Sequence, residues 1–66
     1  MAKKIRQLKS MLRKAGFSSR SGKGSHSVWT HPKASQPVVL SGNDGDDAKH
    51  YQEKEVKERI REVEGS

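Results

Sequence analysis

The chain has 66 residues, of which 33% are charged and 29% are hydrophobic, and its formal net charge is +6. It contains no cysteine, which excludes a disulfide framework and a thiolate metal site. No apolar run approaches the ~18 residues of a membrane span, and no signal-peptide segment follows the first methionine. We therefore expect one small domain over residues 1–66, located in the cytosol.

The first predicted element is a helix over residues 2–15. Ile5, Leu8 and Leu12 fall on one face at helical spacing, so they form an apolar stripe that a core would bury. Gly16 follows directly, and glycine commonly ends helices at this position.

Three short strands are predicted next, over residues 17–21, 26–31 and 37–40. The connections between them are short, so we expect an antiparallel meander. In the second strand, alternation places Trp29 on one face and His26 with Val28 on the other. Trp29 has the larger area to bury, so we expect it to point inward and to leave His26 on the open face.

An acidic loop over residues 41–47 separates the strands from a second helix, predicted over residues 52–64. Val56 and Ile60 belong to the apolar stripe of that helix, and Tyr51 is expected to pack near its start. The order α-β-β-β-α predicts an α+β fold with a three-stranded antiparallel sheet and both helices on one face. The other face is left open, as a polar surface that can meet RNA or a partner.

The charge is distributed unevenly along the chain. Residues 1–33 carry nine Lys or Arg and no acid, whereas residues 34–66 carry five basic and eight acidic residues. A basic half without acids favours contact with phosphate groups and electrostatic steering of nucleic acid over a merely solubilising surface. The residues that we expect to guide RNA are Lys3, Lys4, Arg6, Lys9, Arg13, Lys14 and Arg20.

The most informative motif is the pentapeptide GKGSH at residues 22–26. His26 can take and give a proton near neutral pH. Lys23 can stabilise negative charge on phosphorus, and Gly24 lets the backbone approach a phosphate because it has no Cβ. Ser25 can hydrogen-bond a phosphate oxygen or orient His26. With the RNA 2′-OH as nucleophile, these groups need no metal and no other cofactor, and the products are a 2′,3′-cyclic phosphate and a 5′-OH.

Structural interpretations of the same residues remain open beside this one. A lone histidine at a strand start is commonly a surface residue, and Gly-Lys-Gly is also an ordinary hairpin turn without the spacing of a phosphate-binding loop. His26, His31 and His50 lie in separate segments, which disfavours a metal site. The acidic loop lacks the terminal glutamate of a calcium loop. Trp29 is more typical of a core residue than of a base-stacking platform.

Three motifs follow one another at a recognisable spacing: LKSMLRKAGF at residues 8–17, KGSH at residues 23–26 and HP at residues 31–32. Together with a valine-rich strand and a closing helix, they resemble the HicA toxin family over about residues 4–63. HicA toxins are small mRNA interferases of type II toxin–antitoxin systems. The resemblance implies a fold like the double-stranded RNA-binding domain, a catalytic role for His26 on mRNA, and a HicB-like antitoxin that covers the active site.

The chain departs from the family pattern at Ser27, since many members carry a second histidine directly after the first. The acidic loop is also longer and more acidic than a typical connection, which contact with the antitoxin or simple solvation would explain. The leading hypothesis is a metal-independent endoribonuclease toxin, with Lys9, Arg13 and Arg20 helping to bind RNA. The alternatives are a non-catalytic RNA-binding module and a protein whose open sheet face binds only another protein.

Overall fold

A computed structural model describes residues 3–22, 24 and 26–65. Its elements are α1 (Ile5–Lys14), β1 (Ser18–Ser21), β2 (Ser27–Thr30), β3 (Val38–Leu40) and α2 (His50–Glu64). The strands form one antiparallel sheet in the order β1-β2-β3. The predicted α+β fold and its antiparallel meander are therefore confirmed, with each strand one or two residues shorter than predicted.

Both helices pack on one face of the sheet and bury an apolar core there. The buried apolar residues of the helices and strands are Ile5, Leu8, Leu12, Trp29, Val38, Leu40, Val56 and Val63. Trp29 is 1% exposed and lies opposite Val38 in the sheet. Its predicted inward orientation is confirmed, and burial of so large a side chain is a main source of stability in a domain of this size.

The other face of the sheet is open. Arg20 pairs with Val28, and Val28 pairs with Val39, so these three residues lie side by side across the strands. Arg20 is exposed and Val39 is 51% exposed. The predicted open face is present, but two valines occupy its centre, so it is less polar than the composition of the strands suggested.

The acidic loop is part of the fold, because it completes the N-terminus of α1. The backbone N–H of Ile5 donates to the carbonyl of Asp46 over 2.9 Å. Lys4 forms an isolated antiparallel bridge with Asp47, and their side chains make an ion pair of 2.5 Å. The first N–H groups of a helix have no partner within it. Pairing with the loop satisfies such a group and explains why α1 begins later than residue 2.

The second helix begins at His50, earlier than predicted, because Gln52 reaches back over the start of the helix. The Oε1 atom of Gln52 accepts the backbone N–H of Lys49 over 2.8 Å, and its Nε2 donates to the carbonyl of Ser41 over 3.2 Å. Gln52 is 3% exposed, so its buried amide needs these partners. The expectation that Tyr51 packs near the helix start is wrong, since its side chain is 57% exposed.

Gly16 ends α1 in a backbone conformation that favours glycine, with φ of +93°. A Cβ built there would lie 3.4 Å from Nε2 of His31. We expect Gly16→Ala to lower the free energy of unfolding by about 1–2 kcal/mol, because a Cβ disfavours left-handed backbone. Chemical denaturation measures this loss. In the control Gly45→Ala, no described atom lies within 4 Å of the new Cβ, so equal losses in both variants would contradict the argument.

Candidate functional site

A cleft of about 420 Å³ opens between α1, the start of β2 and the acidic loop. The described residues that line it include Lys9, Gly24, His26, Ser27, Asn43 and Asp44. Its volume is in the range of small-molecule sites. The fold thus brings three of the predicted site residues, Lys9, Gly24 and His26, to one place.

His26 lies immediately before β2 and is exposed. Its backbone carbonyl accepts the N–H of Gly22 over 3.0 Å, which closes the connection between β1 and β2. A Cβ on Gly22 would lie 3.3 Å from the Cβ of His26, so the backbone is close to the histidine here. β2 begins at Ser27 and not at His26, so alternation along the strand does not place His26 on the open face as predicted. His26 instead lines the cleft together with Lys9 of α1.

Lys9 projects from α1 into the cleft and pairs there with Asp44. The Nζ atom of Lys9 lies 2.6 Å from Oδ1 of Asp44, and the side chains are 20% and 65% exposed, respectively. The hydrogen bond from Lys9, then its charge, and more weakly the charges of Arg13 and Arg6 lower the pKa of Asp44. Asp44 is therefore ionised at neutral pH, and the cleft holds a sheltered cation in contact with an exposed anion.

Ser27 connects the cleft to the core. Its Oγ accepts a hydrogen bond from Nε1 of Trp29 over 3.0 Å, which satisfies the polar group of a buried indole. The guanidinium carbon of Arg13 lies 5.4 Å from the centre of the Trp29 ring, in the range of a cation–π contact. From sequence, Ser27 was notable only as a missing histidine. The sequence does indicate the contact with Trp29, because Ser27 lies two residues before this inward-facing residue and therefore on the same face of the strand.

The other predicted RNA-binding residues lie outside this lining or outside the described residues. Within the described part of the chain, Arg13 and Arg20 do not line the cleft. Arg13 lies one helical turn beyond Lys9, and Arg20 lies on the open face of the sheet. Lys23 and Ser25 lie outside the described residues, so their predicted roles stay predictions.

Sequence reasoning did not assign the cleft residues of the acidic loop, Gly42, Asn43 and Asp44, to the site. From sequence, the acidic loop that carries them is expected either to contact the antitoxin or to be solvated. Charge was the feature that indicated contact between this loop and α1. Three aspartates lie in the loop, whereas α1 contains several basic residues and no acid. Opposite charges in such excess favour pairing once the fold brings them together.

The remaining two histidines have other surroundings. The Nδ1 atom of His31 accepts the N–H of Lys33 over 3.0 Å, and its ring centre lies 5.2 Å from that of Phe17. His50 is exposed at the first position of α2. Among residues 3–22, 24 and 26–65, no three His, Asp or Glu side chains gather as a candidate metal site. His26 is thus the histidine that the described cleft offers for proton transfer.

Comparison with known families adds an observation that geometry alone does not supply. Residues 5–63 match the family model for the HicA toxin of bacterial toxin–antitoxin systems. The chain belongs to the HicA toxin family. Every described residue that lines the cleft of this HicA-family chain falls within the match. Membership makes the chain the toxin component of a toxin–antitoxin pair, and it implies an antitoxin partner.

No curated protein and no solved structure matches this HicA-family chain. In the part of the chain that the structure describes, neither helix has the length and apolar composition needed to cross a membrane. The match to the HicA family model confirms the resemblance noted in the motifs at residues 8–17 and 23–26. The match covers nearly the whole chain.

Proposed function

We propose that this HicA-family toxin is a metal-independent endoribonuclease that cleaves mRNA at the cleft, with His26 as the catalytic residue. The observation that supports the proposal most is that His26 and the ammonium group of Lys9 belong to one open cleft. Histidine moves protons efficiently near neutral pH. A positive charge in the same place suits a phosphodiester, whose negative charge increases as the reaction proceeds.

RNA supplies its own nucleophile in the proposed reaction. The imidazole of His26 removes the proton of the 2′-OH, and the 2′ oxygen attacks the adjacent phosphorus. The bond from phosphorus to the 5′ oxygen of the next nucleotide breaks, and that oxygen takes a proton from water. The products are a 2′,3′-cyclic phosphate and a 5′-OH. His26 then releases its proton to solvent.

The residues around His26 are suited to hold the phosphate. Gly24 lines the cleft with φ of +60°, and no described atom lies within 4 Å of the position that a Cβ would take. A phosphate oxygen can therefore approach the backbone closely here. In the proposal, Lys23 stabilises the added negative charge, and Ser25 donates a hydrogen bond to a phosphate oxygen.

The more distant cations extend the proposed contact with RNA. Arg13 is exposed on α1 and Arg20 is exposed on β1, so both are accessible to the RNA backbone. Such contacts position the strand without reading its bases, and they weaken as salt is added. We propose that a HicB-like antitoxin is the partner and that it acts in the cytoplasm by covering the cleft.

Expression of the chain without a partner tests this function. The expected result is arrested growth with cleaved mRNA. Co-expression of a HicB-like antitoxin should restore growth and keep the mRNA intact. A non-catalytic RNA-binding module predicts salt-dependent RNA binding without cleavage. Arrested cells whose mRNA stays intact would therefore contradict the endoribonuclease proposal.

A further inference from the structure

The ion pair between Lys9 and Asp44 occupies the cleft that the proposed function assigns to RNA. A lysine ammonium group donates hydrogen bonds and accepts none. The carboxylate of Asp44 and a phosphate oxygen of RNA are both anionic acceptors, so they compete for the same donor. Contact between Lys9 and an RNA phosphate therefore requires that Asp44 move aside or share the ammonium group.

Asp44 lies where positive charge converges on this surface. Lys9 is in direct contact with the carboxylate, and Arg6 and Arg13 are near enough for their charges to stabilise its ionised form. Basic groups that surround one point attract anions from solution as well as from the protein itself. The position of the Asp44 carboxylate thus marks the place on this surface that is suited to an anion.

The side chain of Asp44 can leave Lys9 while the loop keeps its shape. Among the described residues, Lys9 is the one hydrogen-bond donor to the Asp44 carboxylate. The backbone at this position is held separately, because the carbonyl of Asp44 accepts the N–H of Arg6 over 3.2 Å. Asp46 differs, since its carboxylate accepts the N–H of Asn43 over 2.9 Å and so shapes the loop itself.

We propose that Asp44 is the internal occupant of a phosphate subsite around Lys9, and that a backbone phosphate of RNA displaces it on binding. This inference rests on the proposed function, since that function supplies RNA as the ligand. Asp44 then acts as an internal competitor, because an anion must displace its carboxylate to reach Lys9. The affinity for RNA is reduced according to the fraction of molecules in which the ion pair is closed.

Binding of a 2′-O-methyl RNA oligonucleotide tests the proposal, because this probe carries the phosphates but has no free 2′-OH to attack. We expect Asp44→Asn to bind it about three- to fivefold more tightly than the unaltered chain. The matched control is Asp47→Asn, which removes the same charge from the same loop and breaks the 2.5 Å ion pair with Lys4. Asp47 is absent from the described lining of the cleft, so we expect less than about a twofold gain.

The affinity gains of Asp44→Asn and Asp47→Asn are then compared in a chain that also carries Lys9→Gln. This comparison shows whether the gain comes from freeing the Lys9 ammonium group or only from removing a negative charge. Without the ammonium group, Asp44→Asn should give no larger gain than Asp47→Asn. Asp44→Ser removes the same charge and repeats the test if the asparagine variant does not fold. The proposal of a phosphate subsite would be overturned if Asp44→Asn and Asp47→Asn gave equal gains in affinity. It would also be overturned if the gain from Asp44→Asn persisted without Lys9.

The probe also separates this inference from the proposed function. A gain in affinity that depends on Lys9 supports the subsite even if the chain cleaves no RNA, because the oligonucleotide reports binding alone. If the chain cleaves RNA but Asp44→Asn does not change the affinity for the oligonucleotide, the proposed endoribonuclease activity is supported. The proposal of a phosphate subsite at Lys9 is then overturned.

Discussion

Replacement of His26 by alanine is expected to lower the rate of RNA cleavage by about 10²–10⁴-fold, the usual contribution of a general base or acid. The affinity for a 2′-O-methyl RNA oligonucleotide should stay nearly unchanged, since Lys9 and the other cations remain. His26 is exposed and lies outside β2, so its side chain contributes little to the fold. Single-turnover cleavage in the presence of a chelator measures the rate, and a titration measures the affinity.

His50→Ala is the matched control for this variant. His50 is also exposed, but it begins α2 and is not among the described residues of the cleft. The His50→Ala variant should therefore cleave RNA at the rate of the unaltered chain. A normal rate for His26→Ala, or equal losses in both variants, would remove His26 from the reaction.

The largest loss of stability is expected for Trp29→Ala. Its indole is 1% exposed, contacts the guanidinium of Arg13 and donates a hydrogen bond to Ser27. Removal of a buried aromatic side chain costs about 3–5 kcal/mol. A core in a domain of this size rarely supplies more than about 3–5 kcal/mol. We therefore expect Trp29→Ala to be largely unfolded at room temperature, as measured by far-ultraviolet circular dichroism and urea denaturation.

Two further variants show whether burial is the cause. Trp29→Phe keeps an aromatic ring and loses the hydrogen bond to Ser27, so it should remain folded with a loss of about 1–2 kcal/mol. Val39→Ala changes the opposite face of the sheet, where the side chain is 51% exposed, and should change stability by less than about 0.5 kcal/mol. A Trp29→Ala variant as stable as Val39→Ala would show that the core is assigned wrongly.

The sequence predicted the elements of the fold because their signals are local. The apolar spacing of Ile5, Leu8 and Leu12 identified α1, and Gly16 identified its end. The start of α1 was misplaced because it depends on Asp46 and Asp47, which reach the helix from a distant part of the chain. Helical periodicity carries no information about such a contact.

The candidate site was predicted in part for the same reason. His26 and Gly24 belong to a short motif with recognisable chemistry, and Lys9 belongs to the basic half of the chain. The contact between Asp44 and Lys9 was missed because the two residues lie 35 positions apart in the sequence. Arg20 was predicted with these residues by charge alone, whereas the register of β1 places it on the open face of the sheet.

The ends left by cleavage test the central claim most directly. The purified chain, free of its partner and in the presence of a chelator, is incubated with a defined RNA and with the same RNA carrying a single 2′-deoxynucleotide at the cleaved position. We expect a 2′,3′-cyclic phosphate and a 5′-OH from the first substrate, and no cleavage at that position of the second. Ends with a 3′-OH and a 5′-phosphate, or cleavage of the 2′-deoxy substrate at the same position, would contradict attack by the 2′-OH.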